Sequence, residues 1–396
     1  MQENITRVVI VGGGTAGWLT AGIIAAKNPL VGENSRTEVI LVESPDVKNL
    51  GVGEGTWPTM RDTLRLLGIA EKQFLSECDA SFKQASKFVG WQQGGEDKYY
   101  HPFTAPAGFG AVNLVEAWHD EGCPGDFESW VCAQGMACER YQAPKMPQLP
   151  EYAYNFNYGY HLSADKFVAL LHRHCTEQLG VQYKSAHVAG IQSHPDGAIA
   201  AIELAQGEPL AGDLFIDCSG FSARLIGQHY NVPFVSKRHI LFNDTAVAAQ
   251  VNHVGDQTPI ASCTVATARP HGWVWDIALQ SRRGIGHVFA SELTTESQAE
   301  DALRAYISSD QSLSQKAIMP RTIRFDPGHR ARFWEHNCVA IGVSAGFVEP
   351  LEATALVLIE KSAEWIADQL PRSRAAMAVL GKRYNEMTDA RWSEII

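Results

Sequence analysis

Arg7-Val-Val-Ile-Val-Gly12-Gly-Gly14-Thr15-Ala16-Gly17-Trp18 decides the fold. Val8 to Val11 is a short β-branched run that stops at a glycine turn. Trp18 to Ala26 is rich in Ala, Leu and Ile and reads as helix. The next strand spans Glu38 to Val42 and is followed by Glu43. Strand, glycine turn, helix, strand and terminal acid together form a βαβ signature. The bland alternative is a glycine-rich structural turn; these four contextual conditions, met together, favour a dinucleotide site. Gly12 then permits the tight turn, Gly14 admits a pyrophosphate to the backbone, and Gly17 lets helix and strand pack closely. The N–H groups at Thr15, Ala16 and Gly17 open the helix and face the phosphates with its positive dipole end. Glu43 accepts ribose hydroxyls. The loop Asn28–Arg36 absorbs an interval longer than the usual one.

Outward from that unit, 59–90 reads as helical and 92–150 as irregular, rich in Gly, Pro and aromatics. A helix is expected over 161–180 with Ser163 as its N-cap. Strands follow over 182–205 and 213–217, and 239–292 alternates as an antiparallel sheet with two turns. Val339–Val343 is a further strand, Gly342 lies in its turn, and a helix runs from about Glu352 to Leu370, with Pro350 at its start. The run Tyr152–Tyr160 is read as packing. The fold class is α/β: an FAD-binding Rossmann-type, monooxygenase-like sheet with an interleaved antiparallel-sheet and helical substrate module. The 396 residues form one interleaved unit. Its flavin module is expected over 1–60, 160–225 and 320–370, its substrate module over 75–155 and 230–320, and a short C-terminal helix over 371–396.

Composition narrows the function. Lys+Arg 33 against Asp+Glu 44 gives a net charge of −11, which argues against nucleic acid as partner. No apolar run is long enough to span a bilayer. The N-terminus enters a strand directly, without the basic and apolar regions of a secretory signal, so a cytoplasmic location is expected. The eight cysteines form no CxxC, and the fourteen histidines form no tight ligand cluster. Free thiols and no metal site are expected.

Further motifs carry a family resemblance. The chain resembles the flavin-dependent halogenases, particularly the tryptophan halogenase branch, from about residue 5 to residue 370. Gly12 to Trp18 looks like that family's nucleotide motif, and Gly51-Val-Gly53-Glu54-Gly55-Thr56 is similar to its flavin-side loop. Ser81-Phe-Lys83-Gln-Ala-Ser-Lys87-Phe-Val-Gly-Trp91 resembles the segment of its catalytic lysine, here Lys83. His101-Pro-Phe103 resembles the segment that sandwiches the substrate ring. Glu349-Pro-Leu351-Glu352-Ala-Thr354 resembles the segment of its catalytic glutamate, here Glu352, with halide held at Thr354 and Ala355. Gly342 and Leu351 are then flavin contacts. Trp273-Val-Trp275-Asp-Ile-Ala278 departs from the family's WxWxIP in its last residue, and Ala353 stands where Ser is common. The two tryptophans share a face if they lie on a strand, as a wall of the substrate site.

The resemblance implies an enzyme that takes FADH₂ from a separate flavin reductase, with O₂ and chloride or bromide, and passes hypohalous acid to Lys83. The substrate is a small electron-rich aromatic of indole or phenol type. The chain ends soon after a helix over 375–396, whereas the tryptophan enzymes continue, which argues against free tryptophan. A homodimer is left open. Two rivals stand beside this reading: a flavin monooxygenase of the same fold with no halide step, and a flavin-binding protein without turnover. Dependence of product mass on halide separates the first rival. On spacing alone, Lys83 and Lys87 are equal candidates, and a lysine in such a segment is more often a solvated charge.

Overall fold

A computed structural model describes residues 5–28, 37–46, 51, 53–255, 257–314 and 318–396. Most of the expected loop Asn28–Arg36 lies outside these residues.

The β-branched run becomes the strand Arg7–Val11 at the heart of a six-stranded sheet. Its neighbours are Leu214–Asp217 and Glu38–Glu43, both parallel to it. Gln182–Ser185 and Cys338–Ala340 extend the sheet in parallel, and Trp334–Glu335 adds an antiparallel edge. Val8, Val9 and Ile10 are wholly buried, as a central parallel strand covered on both faces requires. The glycine turn leads into the helix Thr15–Lys27, which packs against Ala164–Glu177 and Thr354–Asp368. Ser163 occupies the N-cap of Ala164–Glu177, but its side chain makes no capping hydrogen bond.

A second sheet has seven strands, in the order Arg321–Arg324, Thr245–Asn252, Arg282–Phe289, Gly272–Ala278, Cys263–Arg269, Ala85–Val89 and Lys98–Pro102. The expected antiparallel stretch is therefore four strands rather than a unit with two turns, and the first of them pairs with the last. One junction is parallel, between Cys263–Arg269 and Ala85–Val89. Alternation sorts the faces: Val274 packs with the helix Glu296–Ser308, whereas Trp273, Trp275 and Ile277 pack with Phe88 and Leu351. Trp273 and Trp275 thus share a face.

Three short strands, Glu54–Gly55, Gly159–Leu162 and Ser81–Lys83, form a separate sheet with Gly159–Leu162 in its centre. Here the helical expectation over 59–90 fails. Helices occupy Thr59–Leu67 and Glu71–Glu77 only. Asp79 takes a left-handed conformation (φ 53°) that ends helical progress, and the chain then pairs as strand. Tertiary hydrogen bonding overrides the local spacing. The irregular stretch also proves partly ordered: it holds the strand Lys98–Pro102 and the helices Leu114–Asp120, Phe127–Val131 and Gln134–Glu139. Tyr158 and Tyr160 are buried with their hydroxyls on the Glu71 carboxylate. Among the described residues, no helix is long and apolar enough to cross a membrane, and no group of His, Cys, Asp and Glu could hold a metal ion.

Candidate active site

The site has an outer cradle and an inner chamber. In the cradle, Gly12 takes φ +119°, and a Cβ there would lie 2.2 Å from the Cys218 carbonyl oxygen. Only glycine fits. The Gly12 N–H donates to Val42 O at 2.8 Å, which ties the turn to the next strand. A Cβ at Gly17 would fall 1.8 Å from the Gly12 oxygen and 3.5 Å from Leu41, so this glycine closes helix on strand. Gly13 was not singled out by the sequence, yet a Cβ there would lie 2.1 Å from the Glu43 carboxyl carbon. Its bareness is what lets Glu43 lie beside the turn.

Gly14 is the N-cap of Thr15–Lys27 and supplies no side-chain cap. The first-turn N–H groups therefore face the adjoining cleft. That cleft has a volume of about 600 Å³ and is lined by Gly12 to Gly14, Glu43, Ser44, His187, Ser219, Arg224 and Val343, among others. Burial raises the Glu43 carboxyl above its ordinary range, against a hydrogen bond from Tyr183. An uncapped helix start, a turn that no Cβ could share and an acid at the strand end fit an adenine dinucleotide. Gly342 (φ +76°) joins the same construction, since a Cβ there would lie 2.8 Å from Ala16 Cβ. Trp18 is buried and stacks on His172 at 4.5 Å. His172 belongs to the run His172-Arg173-His174, where histidines stand densest in the sequence, and here it packs against an aromatic ring.

The inner chamber is built where the three-stranded sheet meets the start of Thr354–Asp368. Lys83 is 1% exposed. It pairs across the sheet with Gly159, while Ser81 pairs with His161 and Gly55 pairs with His161 from the other side. The amine reaches over Gly55, where a Cβ would lie 3.4 Å from Lys83 Nζ and 3.3 Å from Ala353 Cβ. Nζ also lies 5.2 Å from the centre of the Phe103 ring. Burial pulls the amine down to about 8, and the negative charge of Glu352 works against that. His161 is buried beside it and is pushed down to about 3, by burial first and then by the Lys83 charge. Its Nε2 is 2.8 Å from Thr264 Oγ1.

Glu352 stands at the chamber mouth, its side chain 38% exposed. Ser86 Oγ donates to one carboxylate oxygen at 3.1 Å, and His101 Nδ1 lies 2.8 Å from the other. Trp57 Nε1 donates to the Glu352 backbone oxygen at 2.8 Å. Ser86 and Trp57 carried no motif of their own; Ser86 becomes legible only through its register partner, His101. His101 is half exposed and tilted against Phe88 at 4.8 Å. It is thus a partner of Glu352 and part of the lining of the open cleft beyond Phe103.

The helix after Glu352 departs from expectation. Pro350 does not open it. Residues 350–353 form a turn, with Ala353 N bonded to Pro350 O at 3.1 Å, and Ala353 is left-handed (φ 56°). The helix begins at Thr354, without a side-chain cap. Thr354 and Ala355 line a small cavity of about 50 Å³ together with Gly342 and Phe347. Leu351 packs into the cluster that holds Trp273 and Trp275. Trp273 is buried and its Nε1 donates to the Glu349 carboxylate. Gly53 (φ +139°) rests against Ile277 and Gly284. Burial and the Asp165 charge push Glu54 up to about 7. Beyond Phe103, an open cleft of about 690 Å³ runs along Tyr99, His101, Pro102, Phe103, Phe109 and Phe127, among others.

Comparison with known proteins fits this arrangement. The tryptophan halogenase family model matches residues 7–396. The tryptophan 7-halogenase RebH of Lentzea aerocolonigenes is 33% identical over 402 residues, covering 97% of this chain and 73% of that protein. The crystal structure of a tryptophan halogenase from Shewanella frigidimarina superimposes with a TM-score of 0.95 at 44% identity, over 100% of this chain and 76% of the other. BrvH, a flavin-dependent halogenase from Brevundimonas sp. BAL3, superimposes with a TM-score of 0.86 at 30% identity, over 99% of this chain and 77% of the other. The chain belongs to the tryptophan halogenase family and is an enzyme of the flavin-dependent halogenase type.

Proposed function

We propose that the enzyme halogenates a small, electron-rich, indole-like arene in the cleft beyond Phe103, with Lys83 delivering the halogen and Glu352 serving as the base. The buried amine of Lys83, drawn down to about 8 beside a carboxylate that faces the cleft, is the observation that carries this reading. The cradle of Gly12, Gly14, Thr15, Ala16, Gly17 and Glu43 holds the dinucleotide portion of FAD, and Gly53, Glu54, Gly342 and Leu351 line its path inward. Bound and reduced by a separate flavin reductase, FAD supplies the electrons that, with O₂ and chloride or bromide, give hypohalous acid. The uncapped helix start at Thr354 and Ala355 offers N–H groups to the halide.

Hypohalous acid then reaches Lys83. A neutral amine accepts a hydrogen bond from the acid or takes its halogen as a haloamine, and burial keeps part of the amine neutral. Phe103 and the floor at Gly55 exclude water from this handover. The arene attacks the halogen through a ring carbon, a C–X bond forms, and the ring becomes cationic. Glu352 then removes the proton from that carbon and the C–H electron pair restores the aromatic ring. Ser86, His101 and Trp57 fix the position of Glu352. The rings of His101 and Phe103 flank the arene, and Trp273 and Trp275 stiffen the wall behind Leu351.

The lost proline of WxWxIP does not favour the monooxygenase rival. Ala278 contributes its backbone carbonyl, which accepts from Ser81 Oγ at 2.5 Å, and proline offers the same acceptor. The test uses a flavin reductase, NADH, FAD, bromide and a panel of indoles. Brominated mass is expected, lost on omission of bromide and lost in Lys83→Ala with flavin absorbance intact. A hydroxylated product formed equally well without bromide overturns the proposal.

A further inference from the structure

Two thiols lie behind the chamber with no part in the chemistry above. Cys138, on the helix Gln134–Glu139, and Cys263, at the start of Cys263–Arg269, are each 3% exposed and share one small cluster with Ala85 and Tyr100. The Cys138 thiol donates to the carbonyl oxygen of Ser262, the residue next to Cys263, at 3.9 Å. The two thiols interact with one another, and the interaction draws Cys138 below its ordinary value and raises Cys263 well above its own. One sulfur is therefore the readier thiolate and the other its proton-bearing neighbour.

The pair also lies beside the oxidant's route. Cys263 stands opposite Ala85 in the parallel register, two residues beyond Lys83, and Gln84 N donates to Ser262 O at 2.7 Å between them. Cys263 lies within electrostatic reach of the Lys83 amine. All eight cysteines are free thiols, and Cys123, the exception to burial, lies in the connection between the helices Leu114–Asp120 and Phe127–Val131.

We propose that Cys138 and Cys263 form an oxidisable pair that intercepts hypohalous acid escaping Lys83 and closes to a disulfide. This rests on the reading that hypohalous acid is guided to Lys83. The Cys138 thiolate attacks the halogen, forming an S–X bond and releasing hydroxide. Cys263 sulfur then displaces halide, forms the S–S bond and loses its proton. Two thiols and one hypohalous acid become one disulfide, one halide, one proton and one water; sulfur is oxidised by two electrons in all and the halogen is reduced by two. The step discards an unused oxidising equivalent next to its source, before it reaches Tyr99, Tyr100 or Trp273.

The experiment runs turnover with reductase, NADH, FAD and bromide but no arene, then alkylates free thiols and maps peptides by mass without reduction. A Cys138–Cys263 linked peptide, lighter by two hydrogens and reversed by dithiothreitol, is expected only with bromide. Two alkylated thiols after oxidation has already reached Cys123, or an equal yield of the link without bromide, overturns the proposal. A parallel arm with indole reads halogenation by itself: absence of bromoindole there refutes the delivery reading, and the thiol pair is then judged on reagent hypobromite alone. One equivalent added directly closes the link if the pair is as described; oxidation elsewhere first refutes it. Cys138→Ala, folded by its melting curve, keeps the initial bromination rate but yields at least about twofold less total product before inactivation. Unchanged total product contradicts the protective role.

Discussion

Lys83 and Lys87 lie four residues apart in one stretch of chain, and their surroundings are opposite. Lys87 points outward, its side chain 21% exposed, with Nζ 2.8 Å from Glu139 Oε1. Lys98 shares that carboxylate at 2.8 Å and the Tyr100 hydroxyl adds a third donor. Burial alone would raise Glu139, but these donors hold it at about 2. Lys83 points inward, 1% exposed, over a bare glycine and against the Phe103 ring, with an amine drawn down to about 8. One lysine is a satisfied ion pair; the other is kept short of full charge. The strand's alternation, interrupted at Gln84 between two sheets, places both of these fates in one five-residue segment.

The comparison breaks first at Lys83. Lys83→Ala is expected to lower halogenation by on the order of 10³-fold or more, with flavin binding unchanged by absorbance. Lys83→Met separates chemistry from stability. A buried lysine whose folded value lies near 8 binds fewer protons than the unfolded chain between about pH 8 and 10.5. Stability therefore rises with pH across that window, and the full cost stands below about pH 8. The shift corresponds to about 3 kcal/mol at most. Lys83→Met is expected to unfold at higher denaturant than wild type at pH 7, by about 1–3 kcal/mol, and to lose the slope above pH 8. Equal stability and equal slope in the two proteins would show that the amine is solvated.

Glu352 sharpens the same contrast. Glu352→Gln is expected to slow single-turnover halogenation about 10²-fold. In wild type the rate should climb with pH through about 8 as the amine loses its proton. Because the Glu352 charge favours the ammonium, Glu352→Gln should move that limb to lower pH. A limb that stays in place uncouples the two residues. Gly55→Ala comes next. The added methyl would lie 3.4 Å from Nζ and 3.3 Å from Ala353 Cβ, and the flexible amine is the partner that gives way. A fall in rate of about tenfold, with a melting temperature close to wild type, is the expected result from misplacing the amine.

These same residues show how far the sequence could be read. The Gly12 turn was legible because a tight turn at φ +119° and the closure of Gly17 on the turn's own carbonyl are local conditions; the approach of Cys218 O, from far along the chain, only adds to them. Gly13 was missed because its constraint is Glu43, thirty residues away. The strand at Lys83 was misread as helix because its partners are Gly159 and His161, far along the chain. The helix start at Thr354 shifted from Pro350 because Ala353 adopts a left-handed conformation that composition does not announce. Lys83 itself was singled out by resemblance; spacing left it level with Lys87, and burial is what separates them.

The smallest effect is the other half of the comparison. Lys87→Ala removes one of the donors on Glu139 and leaves Lys98 and Tyr100 in place. No unpaired charge is buried by the change, since the carboxylate is 36% exposed and keeps two partners. A partly exposed pair of this kind contributes about 0–1 kcal/mol, and denaturant unfolding should register no more. Halogenation should change by less than about twofold, because the Lys87 side chain pairs with Glu139 and lies over the Tyr100 ring, and the hydrogen bonds that hold Glu352 come instead from Ser86, His101 and Trp57. A loss approaching that of Lys83→Ala would mean that the outward lysine acts on the reaction and that burial is not what distinguishes the two.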